Sequence, residues 1–268
     1  MSAAGVSCIM LTQEGREDYI ERSLSMFMRQ SMTSPRELII VHADGDRFHK
    51  WLQERTSSMH VQLLRNSGTL GARRNEAAKI ATHDFIATWD DDDVSTPSRL
   101  GKQLEALLSA GAAFTAETQY IHLFERQHTA YLLRKDVGGH ANKPWEVVEP
   151  SLMWNRRRCG STWFGDSYVG EDTDFLNRLN GSRRFASTNA DDGFPPVVFS
   201  YTCGDKGMMS LEHHQTIVSR CTKMPSRLIA SGQRIAPSMI DLIPEGYRLI
   251  TSDGMWDVGK AGQLTPYA

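Results

Sequence analysis

The sequence predicts an α/β protein with a mostly parallel central sheet flanked by helices and a mixed second half. Over the first 110 residues, short apolar runs alternate with helical patterns at the spacing of βαβ units. After about residue 111 the apolar runs continue, but helical patterns become sparse. The length of 268 residues suits one large domain, and 40% hydrophobic with 23% charged residues is a globular composition.

Four strands and four helices are predicted in the first half. The strand candidates are Val6–Leu11, Glu37–Val41, Val61–Leu64 and Phe85–Trp89. Helices are indicated by a face with Ile20, Leu24, Phe27 and Met28, by Phe48, Trp51 and Leu52, by Ala72–Ala81, and by a segment that Pro97 opens and that runs to about Ala110. Because ligands of such sheets bind beyond the carboxyl ends of the strands, functional residues are expected there.

The second half has one clear helix pattern, Glu171–Leu179. Its strand candidates are Ala112–Ala116, Tyr120–Phe124, Tyr131–Leu133, Ser151–Trp154 and Val197–Tyr201. The tail after about Leu228 is rich in Gly, Pro and Ser and has no assigned element. The chain is therefore divided into 1–110, 111–227 and 228–268 within one overall domain.

Charge and composition exclude several classes of protein. With 30 basic and 32 acidic residues the net charge is −2, which argues against non-specific nucleic-acid or membrane binding. No apolar run approaches 18 residues, so no membrane span is expected, and the N-terminus has no basic segment typical of a signal peptide. None of the four cysteines forms a C-x-x-C pair, which favours reduced thiols and a cytoplasmic location.

Four adjacent carboxylates, Asp90–Asp93, follow the fourth predicted strand directly. Strand alternation would direct Asp90 and Asp92 to one side and Asp91 and Asp93 to the other. Their mutual repulsion is relieved by a divalent cation, and oxygen ligands favour Mg²⁺ or Mn²⁺ bridging to substrate phosphates. The alternative is a solvated acidic loop that caps the next helix.

The first half resembles the family 2 glycosyltransferases of the GT-A type over roughly residues 5–105. The matching segments lie in the family's order: Val6–Thr12 as first strand, Arg22–Ser31 as first helix ending in Gln-Ser, Glu37–Val41 as second strand, Asn66–Gly68 with Gly71–Asn75 as the N-x-G…A-R-N segment, and Trp89–Val94 with Pro97–Leu100 as the D-x-D-D…P-x-R-L segment.

The resemblance implies an inverting transferase that uses a nucleotide-diphosphate sugar, with UDP as the expected nucleotide and Mn²⁺ or Mg²⁺ as cofactor. Residues 1–110 would bind the donor, and 111–227 would bind the acceptor and carry catalysis. The implied donor-binding residues are Thr12 near the nucleobase, Asp44, Arg74 and Asn75 near the donor, and Asp90 and Asp91 at the ribose or phosphates. Asp92 would hold the metal. Asn75 is alternatively an ordinary polar residue of a helix.

One segment departs from the family pattern. Where the family carries paired acidic residues after the second strand, this chain has His42 and Ala43. Asp44 takes over that role if the loop is shifted by one or two positions. The identity of the nucleobase stays open on this point, and His42 is alternatively a loop histidine.

The Glu171-Asp172 pair opens the helix of the second half and resembles the family's E-D motif. The resemblance implies that Asp172 is the general base that deprotonates the acceptor hydroxyl, and that Glu171 positions the acceptor or the loop. Acidic residues in a first helical turn are also favoured by the helix dipole alone. His214, or its neighbour His213, is a candidate additional metal ligand, and the alternative is a surface pair.

Clusters of arginine and tryptophan residues are further candidates for substrate binding, and the identity of the acceptor stays open. Arg156–Arg158 could lie over the diphosphate or in a solvated loop, and Trp145, Trp154 and Trp163 could stack on a sugar or pack in the core. The acceptor could be a glycan, a lipid-linked glycan, a protein or, given Arg183 and Arg184, a nucleic acid. The competing functions are a nucleotidyltransferase, whose Gly-rich basic loop Thr12–Glu17 matches only weakly, and a non-catalytic nucleotide-sugar-binding module.

Overall fold

The computed structural model describes residues 4–135, 147–160, 163–179, 185–186, 197–201, 211–224, 243–260 and 263–267. These residues form two β-sheets with helices packed on them. None of the helices in these ranges is long and apolar enough to cross a bilayer.

The strands, in chain order, are β1 Val6–Leu11, β2 Arg36–His42, β3 Val61–Arg65, β4 Phe85–Thr88, β5 Val94–Ser95, β6 Phe114–Glu117, β7 Gln119–Phe124, β8 Thr129–Arg134, β9 Val148–Asn155, β10 Phe185–Ala186, β11 Val197–Tyr201, β12 Thr222–Lys223, β13 Arg248–Thr251, β14 Gly254–Val258 and β15 Leu264–Pro266. The α-helices are α1 Glu17–Met28, α2 Asp46–Thr56, α3 Leu70–Ile80, α4 Arg99–Ala110, α5 Arg156–Cys159, α6 Glu171–Leu179 and α7 Leu211–Arg220.

The first sheet has the strand order β10-β6-β9-β4-β1-β2-β3. Strands β1 to β4 are mutually parallel, and β9 is antiparallel to both of its neighbours. The predicted α/β class with a mostly parallel sheet is therefore confirmed. The second sheet, β15-β14-β13-β8-β7-β11-β5, mixes parallel and antiparallel pairs, as expected for the second half.

The strand order creates a cleft between β1 and β4. The chain builds β2 and β3 on one side of β1 and then returns to place β4 on its other side. Connections leave β1 and β4 in opposite directions, so a crevice opens at their carboxyl ends. Thr12 follows β1 and Asp90 lies just beyond β4, so both meet at this crevice.

The core lies on both faces of the first sheet because successive strand residues alternate between them. Cys8 and Met10 of β1 pack with α1, α2 and α4 on one face, whereas Ile9 packs with α3 and α6 on the other. Each face of the sheet is thereby covered, which explains why the strands read as continuous apolar runs.

Three local expectations differ from the structure. Met28 is 51% exposed, because Ile20, Leu24 and Phe27 already define the buried stripe of α1 and Met28 lies at its edge. Helix α4 begins at Arg99, so Pro97 precedes the helix and does not open it. The unassigned tail contributes β13, β14 and β15, which extend the second sheet from β8.

Glu37 ties β1, β2 and β3 together at the edge opposite the cleft. Its buried carboxylate accepts hydrogen bonds from Ser7 Oγ at 2.5 Å, from the Thr82 amide at 2.7 Å and hydroxyl at 2.6 Å, and from Gln62 Nε2 at 2.7 Å. Burial alone would raise the pKa of Glu37, but these donors lower it from 4.5 to about 2. The ionised carboxylate therefore stabilises the fold.

We expect Glu37→Gln to destabilise the protein by roughly 3 kcal/mol at neutral pH, the equivalent of that difference in pKa. Because the pKa in the folded state lies below the unfolded value of 4.5, the stabilisation is complete above that value and is lost as the pH falls from 4.5 towards 2. Urea denaturation at several pH values measures the free energy of unfolding of both proteins. Glu54→Gln, on an exposed position of α2, is the control, and an equal loss in both variants would contradict the assignment.

Candidate active site

Arg16, in the loop after β1, binds two carboxylates of the aspartate run. Its Nε and Nη2 donate to the two oxygens of Asp91 at 2.9 and 2.6 Å, and Nη2 lies 2.7 Å from Asp92 Oδ2. Thr12 Oγ1 donates to Asp91 Oδ2 at 2.5 Å. The loop after β1 is thus joined to the loop after β4 across the cleft.

The aspartate run alternates in burial, but not as a strand. Asp91 and Asp93 are buried, whereas Asp90 and Asp92 are partly exposed. Since β4 ends at Thr88, the run follows a bend, and Asp91 and Asp92 reach the same guanidinium instead of pointing apart.

The electrostatics of the run favour a bound cation. Burial, followed by the neighbouring Asp91 charge, raises the pKa of Asp92 from 3.8 to about 6, although Arg16 opposes this shift. The Asp92 side chain is 28% exposed and faces the cleft lined also by Thr12 and Asp90. Arg16, Arg73 and Arg74 line the same cleft. The partly exposed oxygens of Asp90 and Asp92 are of the type that Mg²⁺ or Mn²⁺ prefers, and they fit an ion that takes its other ligands from water and a bound phosphate.

Arg74 of α3 joins the aspartate run to the Glu171-Asp172 pair. Its Nη1 lies 3.4 Å from Asp90 Oδ1, and its Nε donates to Glu171 Oε1 at 3.2 Å. Burial would lower the pKa of this guanidinium, but the charges of Asp90, Glu171 and Asp172 raise it overall. Burial raises the pKa of Glu171, while Arg74 opposes the shift.

The chain before α6 lies along α3. Asn75 Nδ2 donates to the Phe164 carbonyl at 3.0 Å, and the Phe164 amide donates to Asn75 Oδ1 at 2.9 Å. A Cβ at Gly71 would lie 1.7 Å from the Gly165 carbonyl oxygen, so only glycine permits this approach. Thr69 Oγ1 donates to Asp166 Oδ1 at 2.5 Å. Asn75 thus uses its side-chain amide to hold this segment, and both of its hydrogen bonds go to protein backbone.

Asp172 lies in the first turn of α6, directly after the anchored Glu171. Its Oδ1 accepts a hydrogen bond from the Thr173 amide at 2.6 Å, and the side chain is partly exposed. Phe175, Leu176 and Leu179 are buried and fix the helix in the core. A carboxylate at this position is held rigidly while remaining accessible to a ligand.

Arg73 lies beside Arg74 and orders the base of the cleft. Its Nη2 donates to the carbonyls of Thr12 at 3.0 Å and Val41 at 2.8 Å, which joins the ends of β1 and β2. Asp44 follows β2 at the same edge and interacts electrostatically with Arg73. His42 is buried, with its Nε2 2.9 Å from His49 Nδ1, so it belongs to the β2–α2 packing.

His214 lies on α7, and its ring packs against His122 of β7 with centroids 5.3 Å apart. Burial lowers the pKa of His214 to about 4. In the ranges that the structure covers, no three His, Cys, Asp or Glu side chains converge closely enough to hold a metal ion. The structure therefore does not bring Asp92 and His214 into such a group.

Of the two alternatives for Arg156–Arg158, a place over the diphosphate is wrong. Strand β9 is antiparallel to β4, so its end lies beside the start of β4, where the Arg156 amide donates to the Asp84 carbonyl at 2.9 Å. These arginines are at the edge of the sheet opposite the aspartate run, and Arg157 pairs with Asp84 at 2.8 Å.

The three candidate tryptophans lie in different places. Trp154 is buried against Phe164 and Phe175, which confirms the core alternative. Trp163 borders a small cavity beside Arg156, away from the cleft. Trp145, Arg183 and Arg184 lie outside the described residues.

Sequence reasoning missed Arg16 and Arg73 as site residues. A signal for Arg16 was present, since four carboxylates at one strand end require a nearby cation and Arg16 follows the adjacent strand. Arg73 binds backbone carbonyls, and because every residue has one, the sequence gives no indication of such a contact.

Comparisons with known proteins agree with this geometry. A family model described as glycosyl transferase family 2 matches residues 7–158. An uncharacterized glycosyltransferase of Methanocaldococcus jannaschii is 29% identical over 187 residues, covering 65% of this chain and 63% of that protein.

Solved structures of S. aureus TarS have a similar fold. The 1–349 fragment in complex with UDP-GlcNAc gives a TM-score of 0.56 at 17% identity, covering 77% of this chain and 60% of that one. The same fragment with UDP gives 0.54 at 17% identity, covering 75% and 61%. In each comparison with a single protein, the match spans less than two thirds of the relative's own length.

We expect Arg74→Met to destabilise the protein by roughly 3–5 kcal/mol, because it leaves the Asp90 and Glu171 carboxylates without their buried cation. Arg55→Met is the matched control: Arg55 pairs with Glu21 at 3.0 Å on the surface, and its loss should cost less than about 1 kcal/mol. Urea denaturation measures both. Equal effects would show that Arg74 does not hold the site together.

Proposed function

This chain belongs to glycosyl transferase family 2, and from that membership we propose that it is an inverting, metal-dependent transferase acting on a UDP-sugar and a hydroxyl acceptor. The observation that carries the proposal is the buried Arg74, which contacts Asp90 on one side and Glu171 on the other. It joins the aspartate run, which would bind a diphosphate through a divalent cation, to a helix that begins with acidic residues.

The donor is assigned to the crevice between β1 and β4. Thr12, Arg73 and Asp44 surround the proposed nucleobase position, and Asp90 lies where the ribose or diphosphate would bind. Asn75 is proposed to act there by holding the adjacent segment. The UDP and UDP-GlcNAc complexes of TarS, which has the same fold, support a uridine nucleotide.

Asp92 is proposed as the ligand of Mn²⁺ or Mg²⁺, with Asp90 beside it. When bound, the ion offsets the negative charge that develops on the departing diphosphate. Asp91, bound by Thr12 and Arg16, is proposed to keep the run in place beneath the donor. A cytoplasmic location stays a prediction of the sequence.

Asp172 is proposed as the general base. Inversion by a single displacement requires a carboxylate that takes the proton of the acceptor hydroxyl as its oxygen attacks the anomeric carbon from the face opposite the diphosphate. Asp172 is partly exposed and interacts electrostatically with Arg74, which lines the cleft, and Glu171 fixes its helix through Arg74. Glu171 is therefore a positioning residue in this proposal.

Asp92→Ala should abolish the Mn²⁺-dependent part of UDP binding while leaving the fold intact, because the carboxylate is partly exposed and its removal leaves Arg16 paired with Asp91. Isothermal titration of UDP with and without Mn²⁺ measures this. Asp18→Ala, at an exposed position of α1, is the control. Unchanged Mn²⁺-dependent affinity in the Asp92 variant would remove Asp92 from the metal site.

Asp172→Asn should lower turnover by roughly 10²–10⁴-fold, the usual effect of losing a general base, with UDP affinity nearly unchanged. The substrate is the UDP-sugar that raises the melting temperature most in a thermal-shift screen. Glu105→Gln, at an exposed position of α4, is the control. Normal turnover of the Asp172 variant contradicts its role, and lost UDP binding moves it to the donor site.

A further inference from the structure

The segment before α6 carries an exposed apolar pair to the mouth of the cleft. It lies along α3 and contacts it at several points. Asn75 binds the Phe164 backbone, and one turn earlier in α3 the Gly71 amide donates to the Ser167 carbonyl at 3.2 Å. Asp166 binds Thr69, the residue that caps α3. The segment therefore runs towards the N-terminus of α3, where Leu70 lines the cleft.

Beyond the last of these contacts, Tyr168 is 55% exposed and Val169 is 61% exposed. Gly170 follows with φ of +74°, which turns the chain directly into α6 and Glu171. Tyr168 lies close enough to Arg73 to interact with it electrostatically, so its side chain is near the cleft. Two exposed apolar side chains on an anchored segment form a contact surface for a ligand.

The charges around this pair restrict what can bind. Asp166, Asp172 and Asp174 lie near it in sequence, and Arg178 pairs with Asp174 at 2.7 Å while Arg74 is buried with Glu171. The remaining carboxylates, Asp166 and Asp172, outnumber the nearby cation Arg73, which donates to two backbone carbonyls. A phosphate-rich ligand would therefore meet net negative charge. A ligand with hydroxyl groups would instead find carboxylate acceptors.

We propose that Tyr168 and Val169 bind the ring of a neutral sugar, and that the acceptor of the transfer is an uncharged glycan. This inference rests on the proposed function. A sugar ring offers an apolar C–H face to a tyrosine ring and hydroxyl groups to carboxylates, which matches both features of the surface. In this proposal Tyr168 takes the role of stacking on a sugar, which the described Trp154 and Trp163, away from the cleft, do not fill.

The transfer then balances as follows. The acceptor hydroxyl oxygen forms a bond to the anomeric carbon of the donor sugar as the bond from that carbon to the diphosphate oxygen breaks. The hydroxyl proton passes to the Asp172 carboxylate, and the bonding electrons leave with the diphosphate. Tyr168 and Val169 hold the acceptor ring without taking part in these bond changes.

The test measures ligand binding by saturation-transfer NMR, without nucleotide, for lactose, cellobiose, maltose and chitobiose, with glucose 6-phosphate and a ten-residue oligothymidylate as charged probes. We expect at least one neutral disaccharide to bind more tightly than both charged probes. Tyr168→Ala should weaken that binding about tenfold, and Tyr168→Phe should retain it because the ring remains. Tyr267→Ala, an exposed aromatic residue of the tail, should leave it unchanged.

Three results would overturn the inference: no neutral disaccharide binds, the charged probes bind more tightly in a Tyr168-dependent way, or Tyr168→Ala has no effect. A separate UDP titration distinguishes failure of the acceptor inference from failure of the proposed transferase function. If UDP binds and the disaccharides do not, only the acceptor inference fails. If disaccharides bind through Tyr168 and neither UDP nor a UDP-sugar binds, the contact stands and the transferase proposal fails.

Discussion

The buried charge of Arg74 is the constraint on which the rest of the site depends. A guanidinium removed from water must be paired, and here its partners come from two distant parts of the chain, Asp90 after β4 and Glu171 at the start of α6. A carboxylate that moved away would lose its pairing with Arg74 while still being largely buried. The aspartate run and the start of α6 are therefore fixed relative to one another by α3.

A second cation makes the acidic run compatible with folding. Arg16 neutralises Asp91 and part of the Asp92 charge, and Thr12 completes the hydrogen bonding of Asp91. Asp92, which shares only one nitrogen of Arg16 and is partly exposed, retains a raised pKa. Asp91 is thus fully engaged by protein groups, whereas the charge of Asp92 is only partly neutralised.

Local patterns in the sequence were enough to predict the sheet and the place of the cleft. Short apolar runs and period-3.6 patterns identified β1 to β4 with the helices between them. The rule for strand ends led to the aspartate run, and the family resemblance led to Thr12. The pairing of Arg74 with Glu171 spans 97 residues and follows from packing that no local pattern encodes. The reversed direction of β9 was likewise not predictable, which is why a place for Arg156–Arg158 over the diphosphate stayed open until the structure was known.

The contact of Gly71 with Gly165 brings two backbones together with no side chain between them. No rotamer change can absorb a displacement there, so α3 and the segment before α6 move as one body. Tyr168 and Val169 follow this contact, and their side chains are largely exposed to solvent. If these two residues contact the acceptor as proposed, substitutions there would change acceptor choice without disturbing the backbone contact that holds α3 and α6, a separation that suits both evolutionary divergence and directed redesign.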